Sequence, residues 1–274
     1  MYRLPFSARL VSLMLMSLTL SCTAGNDDAS DASVSPEPVP TGNEIVDLLV
    51  AGQTVFGVFT LEQSLTGAEA AGGDTETDFI FYSLEDGPWD IPTMEAFIER
   101  MEEVGGDSGP RAMTLRIPPI RDDRTAAISH IAEGLATGVQ GLVFPHVESA
   151  EEVALLVDAM GSRLWPINPG GDLLNVILIE DQDGIRRARE IVGAPGVGVV
   201  IPGPGDLRNA YEGDMVAVEG AIQTVLEACK EFDVPCGITA GVEDMAERLE
   251  QGFRLIIVTQ TEALAVGLAA SGRR

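Results

Sequence analysis

Eight short β-branched apolar runs, each followed by a stretch of helical periodicity, constrain this chain more than any other feature. The runs are 54–60, 78–84, 112–117, 141–144, 175–179, 197–201, 235–239 and 254–258. Each is too short for a buried helix and too uniformly apolar for a half-exposed strand, which is the pattern of a parallel strand covered on both faces. Amphipathic stretches at 93–104, 124–137, 150–160, 184–191, 215–232 and 242–251 separate them, and 262–270 comes last. Eight βα units in one domain predict an α/β fold of the (β/α)₈ TIM-barrel type rather than a doubly wound sheet. A hydrophobic content of 45% supplies the core for it.

The barrel occupies residues 43–274. Ahead of it, 1–22 begins with Arg3 and Arg9, continues through an apolar segment too short to span a bilayer, and ends at Ser21-Cys22. This reads as a lipoprotein-like export signal, with Cys22 as the lipidated first residue of an exported, membrane-anchored protein; plain secretion and a cytoplasmic protein with a mis-assigned start are the alternatives. Residues 23–42, rich in Ser, Asp, Pro and Ala, lack the apolar surface to order themselves and read as a tether. The formal net charge of -26 excludes a nucleic-acid partner and electrostatic adhesion to anionic lipid, leaving the lipid anchor as the one expected membrane contact.

In a barrel of this kind chemistry gathers at the carboxyl ends of the strands. Those ends carry Glu85 and Asp86, Arg116, Pro145-His146, Glu180, and the run Gly203-Pro204-Gly205-Asp206. Glu180 and Asp206 each stop an apolar run, a pattern that delivers two acids to one sheet edge. Beside a glycine loop whose N–H groups can meet an anion, such a pair suits a hard divalent cation carrying an oxyanionic substrate. Read alone, the same residues also fit a polar strand end followed by an ordinary Gly/Pro turn. Imine chemistry needs a desolvated lysine, and Lys230, the only lysine of the chain, sits near the end of a helical stretch.

Five segments in order extend this reading: DFIFYSLEDGPWDIPTM at 78–94, TLRIP at 114–118, GVQGLVFPHVESAEEV at 138–153, VILIED at 176–181 and GPGDL at 203–207. Together they resemble the hydroxy-oxo-acid aldolase branch of the HpcH/HpaI aldolase/citrate lyase family, over roughly 54–267. The resemblance implies a metal-dependent lyase that cleaves 4-hydroxy-2-oxo acids to pyruvate and an aldehyde, or runs in reverse. It implies Glu180 and Asp206 as ligands of Mg²⁺, Mn²⁺ or Co²⁺, and Arg116 as the group that stabilises the developing oxyanion. Gly205 and Asp206 would receive the substrate carboxylate on their backbone N–H groups. Relatives of this kind are commonly homo-trimers or hexamers.

The chain departs from that pattern where protons move. The resemblance places a catalytic histidine at position 86 and an orienting aspartate at 83, and here these are Asp86 and Ser83. A carboxylate titrating near its ordinary value is a poor proton donor at neutrality. Two expectations follow: an enzyme using Asp86 as base, or a lipid-anchored protein that binds metal and 2-oxo acid without turnover. His146 reads as a loop histidine in its Pro-His-Val turn and His130 as a packing residue. Cys229 and Cys236 read as a disulfide or as two buried thiols.

Overall fold

A computed structural model describes residues 40–106 and 111–273. The expected export signal with Cys22, and nearly all of the expected tether, lie outside the described residues.

Among the described residues, nine parallel strands form the sheet: β1 (Val55–Phe59), β2 (Phe79–Ser83), β3 (Ala112–Arg116), β4 (Gly141–Phe144), β5 (Leu164–Trp165), β6 (Leu173–Ile179), β7 (Val199–Pro202), β8 (Gly237–Thr239) and β9 (Leu255–Val258). β1 pairs with β2 on one edge and β9 on the other, and the order continues through β3, β4, β6 and β7 on one side and to β8 on the other. The ends of this curl meet at a single parallel bridge, Val200 with Cys236, beside a 3.1 Å bond from the Val200 N–H to the Pro235 carbonyl. The sheet is TIM-barrel-like, and each of the eight expected strands is present within two residues of its expected ends.

β5 was not anticipated. It lies along the start of β6, pairing Leu164 with Leu173, before β7 takes over that edge from Val176.

The strand pattern divides the core by parity, since successive side chains point to opposite faces. Phe79, Phe81, Val176, Leu178, Val199, Ile201, Leu255 and Ile257 fill the inside. Ile80, Tyr82, Ile177, Ile179, Val200, Ile256 and Val258 face the surrounding helices. Gly57 of β1 has a packing reason, because a Cβ there would occupy the place of the Phe79 ring.

The helices are α1 (Glu44–Val50), α2 (Leu65–Gly73), α3 (Ile91–Gly105), α4 (Arg124–Ala136), α5 (Ala150–Met160), α6 (Gln182–Arg186), α7 (Ala188–Val192), α8 (Pro204–Ala210), α9 (Met215–Phe232), α10 (Met245–Gln251) and α11 (Thr261–Ala270). Side-chain caps from Asp90, Asp123, Ser149 and Asp214 start α3, α4, α5 and α9. The helical stretch expected at 184–191 is two short helices, broken at Arg187. α1 was also unanticipated. Asn43 caps it and donates its amide to the carbonyls of Gln140 (2.9 Å) and Asp172 (3.1 Å), just ahead of β4 and β6. α1 therefore lies at the amino ends of the strands, where Ile45, Val46 and Leu49 join the inner cluster. The opposite end is left for chemistry. Cys229 and Cys236 are both buried and free.

Candidate active site

Parity also builds the cavity. Following the inward rows of six strands to their carboxyl ends gives Phe59 on β1, Glu85 after β2, Arg116 on β3, Glu180 after β6, Gly203 after β7 and Thr259 after β9. All of these except Glu85 line a cavity of about 300 Å³ at the carboxyl edge. Pro204, Gly205 and Asp206 complete one wall from the first turn of α8, with Leu178, Ile201 and Ile257 as the floor.

Arg116 is fixed from three directions. Its Nε donates to Ser83 Oγ at 2.9 Å, and its Nη1 pairs with Glu85 Oε2 at 2.8 Å. The guanidinium lies 5.5 Å and 5.6 Å from the ring centroids of Phe59 and Phe81, which stack on each other at 5.0 Å. A guanidinium held this way keeps one orientation, the requirement for a charge aimed at a developing oxyanion.

Glu180 is 2% exposed. Burial, with the Asp206 and Glu85 carboxylates adding to it, pushes its pKa up to about 7 against the pull of His146. Its Oε1 accepts the His146 N–H at 3.0 Å. A Cβ on Gly203 would collide with Oε2, so the glycine before α8 is what gives the carboxylate room. An ionised carboxylate so deeply placed is costly without a compensating cation. The site therefore fits a divalent ion by its donor chemistry, with Glu180 and Asp206 on one cavity.

His146 is not a bystander in a loop, as the sequence suggested. Because β4 pairs directly with β6, the turn after β4 falls beside the end of β6. Its Nε2 stands 3.8 Å from both Glu85 Oε1 and Glu180 Oε1, and its Nδ1 3.6 Å from Asp181 Oδ2. Asp181 against Nδ1 raises the His146 pKa, with Glu180 and Glu85 adding to this. Asp181 itself is held well below the usual carboxylate range: although its burial opposes this, His146, the Gly184 N–H and Arg121 all stabilise the anion. Burial raises the pKa of Glu85 despite Arg116.

Among the described residues, Glu85, His146 and Glu180 form the group whose potential ligand atoms all lie within 4.8 Å of one another. Asp206 shares the cavity with Glu180 but is not in that group, and neither Glu85 nor His146 lines that cavity. Asp86, expected as the proton carrier, falls on the opposite parity from Glu85. It is exposed and does not line the cavity. His130 stacks on Trp89 at 4.1 Å, away from the site.

Residues 64–263 match the sequence model of the family described as HpcH/HpaI aldolase/citrate lyase. The chain is 32% identical to the hydroxypyruvate/pyruvate aldolase of Delftia acidovorans over 47% of this chain and 57% of that protein. It is 25% identical to the 4-hydroxy-2-oxo-heptane-1,7-dioate aldolase of Klebsiella pneumoniae over 85% of this chain and 93% of that one. The chain thus spans little more than half the length of the first of these relatives. Among solved structures, a family protein from Burkholderia cenocepacia superposes with a TM-score of 0.68 at 21% identity, covering 84% of this chain and 96% of its own, a likeness of fold.

Proposed function

The chain belongs to the HpcH/HpaI aldolase/citrate lyase family, and from that premise we propose that it is a metal-dependent carbon–carbon lyase. Its substrates in this reading are 4-hydroxy-2-oxo acids, cleaved to pyruvate and an aldehyde or made from them. The observation that carries it is the convergence of Arg116, Glu180 and Asp206 on one cavity at the strands' carboxyl edge.

A Mg²⁺, Mn²⁺ or Co²⁺ ion held by Glu180 and Asp206 would supply Lewis acidity toward the keto group. The protein's own residues do the rest. Arg116, braced by Ser83 and Glu85, faces the oxygen on which charge accumulates. Gly205 and Asp206, in the first turn of α8, have backbone N–H groups free of helical partners and receive the substrate carboxylate. Phe59 and Phe81, with Ile257 below them, keep the surroundings of the reacting carbon apolar. Aldol formation by the purified full chain, from pyruvate and a panel of aldehydes with each ion, tests the reading. No product with any pair would overturn it.

The family resemblance assigns proton transfer to position 86, where the exposure of Asp86 works against that role. Asp86→Asn is expected to leave turnover within about twofold, because a carboxylate outside the wall is poorly placed for a hydroxyl held inside. A loss of a hundredfold or more in steady-state kinetics would restore the role to Asp86. The same exposure favours the second reading, a protein that binds metal and 2-oxo acid without turning it over. Under that reading calorimetry detects pyruvate binding in the presence of Mn²⁺ while no aldehyde is consumed.

The anchor at Cys22 and assembly into trimers or hexamers belong to the same proposal and rest on the sequence. Cys22→Ala is expected to move the protein from the membrane to the soluble fraction on fractionation; unchanged partition would remove the anchor.

A further inference from the structure

We propose that His146 is itself a ligand, joining Glu180 and Asp206 together with Glu85, so that the site selects nitrogen-seeking metals such as Co²⁺ or Zn²⁺ over Mg²⁺. This rests on the reading that Glu180 holds a divalent ion, and deepens it by adding a donor that the carboxylate pair lacks.

Four observations converge on the histidine. Its Nε2 is 3.8 Å from one oxygen of each glutamate, a gap that two metal–ligand bonds of about 2.1 Å can bridge. Arg116 takes Oε2 of Glu85 and leaves Oε1 directed at His146. On the far side of the ring, Nδ1 faces Asp181 Oδ2 at 3.6 Å, and Asp181 is in turn fixed by the Gly184 N–H and Arg121, both at 2.9 Å. At that distance the contact is an ion-pair approach and Nδ1 makes no hydrogen bond, but a carboxylate behind the ring favours the tautomer that leaves Nε2 for the ion.

The backbone supplies the fourth. His146 has φ 53, in the left-handed region that costs a non-glycine residue conformational energy. This conformation accompanies the bond from its N–H to Glu180 Oε1, which ties the turn after β4 to the most buried carboxylate of the site. Imidazole suits Zn²⁺, Co²⁺ and Ni²⁺, whereas Mg²⁺ prefers an all-oxygen shell. Adding one nitrogen to a carboxylate site therefore changes which ion it prefers. The reacting groups around it can stay the same.

The test uses the full chain stripped of metal with a chelator and titrated calorimetrically with Co²⁺ and with Mg²⁺. His146→Asn, chosen because asparagine tolerates left-handed backbone, is expected to weaken Co²⁺ about 100-fold and Mg²⁺ less than about threefold. Asp181→Asn is expected to weaken Co²⁺ about tenfold. Glu180→Gln should abolish both. Pulsed electron paramagnetic resonance on bound Cu²⁺ should show ¹⁴N modulation from imidazole in the parent and none in His146→Asn. Equal losses for the two ions, or a parent without nitrogen modulation, would make His146 an ion-pairing residue and overturn the inference while leaving the metal reading in place. A parent that binds neither ion would overturn the metal-dependent reading itself.

Discussion

Arg116→Lys is expected to lower kcat/KM by about 10²- to 10³-fold with little loss of fold, because one positioned donor to a developing oxyanion accounts for that much in comparable sites. Lysine keeps the positive charge, so a smaller effect would be expected if charge alone mattered. It cannot keep the geometry. Arg116 donates through Nε to Ser83 and through Nη1 to Glu85 while lying over Phe59 and Phe81, and an ammonium on a flexible stem reproduces neither the planar fork nor the stacking. Glu85, whose side chain is 12% exposed, would be left with a poorer partner. Steady-state kinetics beside a thermal melt check the prediction; kcat/KM within threefold of the parent would remove Arg116 from the reaction.

The second large effect is on stability, and its sign depends on pH. In the folded protein Glu180 titrates at about 7 rather than its ordinary 4.5, chiefly through burial. Folding therefore favours the protonated carboxyl. Stability from this group is fully present below the unfolded value and is lost as pH rises through about 7. Glutamine cannot ionise and keeps an oxygen for the His146 N–H. Glu180→Gln is thus expected to gain up to roughly 3 kcal/mol over the metal-free parent at about pH 8, and little at about pH 4, from a shift of this size. Urea unfolding with a chelator at both pH values measures it. An added divalent ion reverses the order, because it binds the folded parent alone. Equal metal-free stabilities at about pH 8 would mean that burial of Glu180 is compensated within the protein. A group that destabilises the fold unless an ion sits beside it fits a functional role better than a structural one.

The strands were legible in the chain, and so was the placing of Arg116, Glu180 and Asp206 at one end of the sheet. Apolar runs of β-branched residues are hard to mistake, and a charged residue ending such a run points to the sheet edge, which is how Arg116, Glu180 and Asp206 were found. α1 and α8 were readable in principle, from the Asn43 cap and from Pro204 at a first helical position, but each is seven residues long, too short to show a clear period. α2, LTGAEAAGG, is mostly small residues, and with Leu65 as its one large apolar side chain it has no apolar stripe to see.

Choosing between Glu85 and Asp86 needed only a count. Phe79, Phe81 and Ser83 set an inward row of odd positions on β2, and Glu85 continues it once the Leu84 N–H bonds to the Arg116 carbonyl and carries the strand pairing one step past Ser83. His146 was different in kind. Its role depends on β4 lying against β6 rather than β5, and nothing in its Pro-His-Val turn announces that neighbour.

The lone bridge between β7 and β8 gives this barrel a place to breathe. Strands elsewhere around the curl share several paired residues, so a local opening that separates these two breaks the least pairing and lies at the cheap end of the range between local fraying and global unfolding. The wall on one side of that gap is β7, which leads into Gly203 and Asp206, so loosening there would be felt at the cavity. The bridge also carries its own reporter: Cys236 is one of its two residues, and its thiol is buried and held above the usual cysteine range by that burial. Separation of the two strands would expose it further to a thiol reagent, through the pocket that it lines with Cys229, Lys230 and Pro235. The rate at which Cys236 is alkylated is therefore a clock for the motion, and slowing of that clock by a divalent ion would show that the carboxyl end of the barrel and its loosest joint are mechanically one piece.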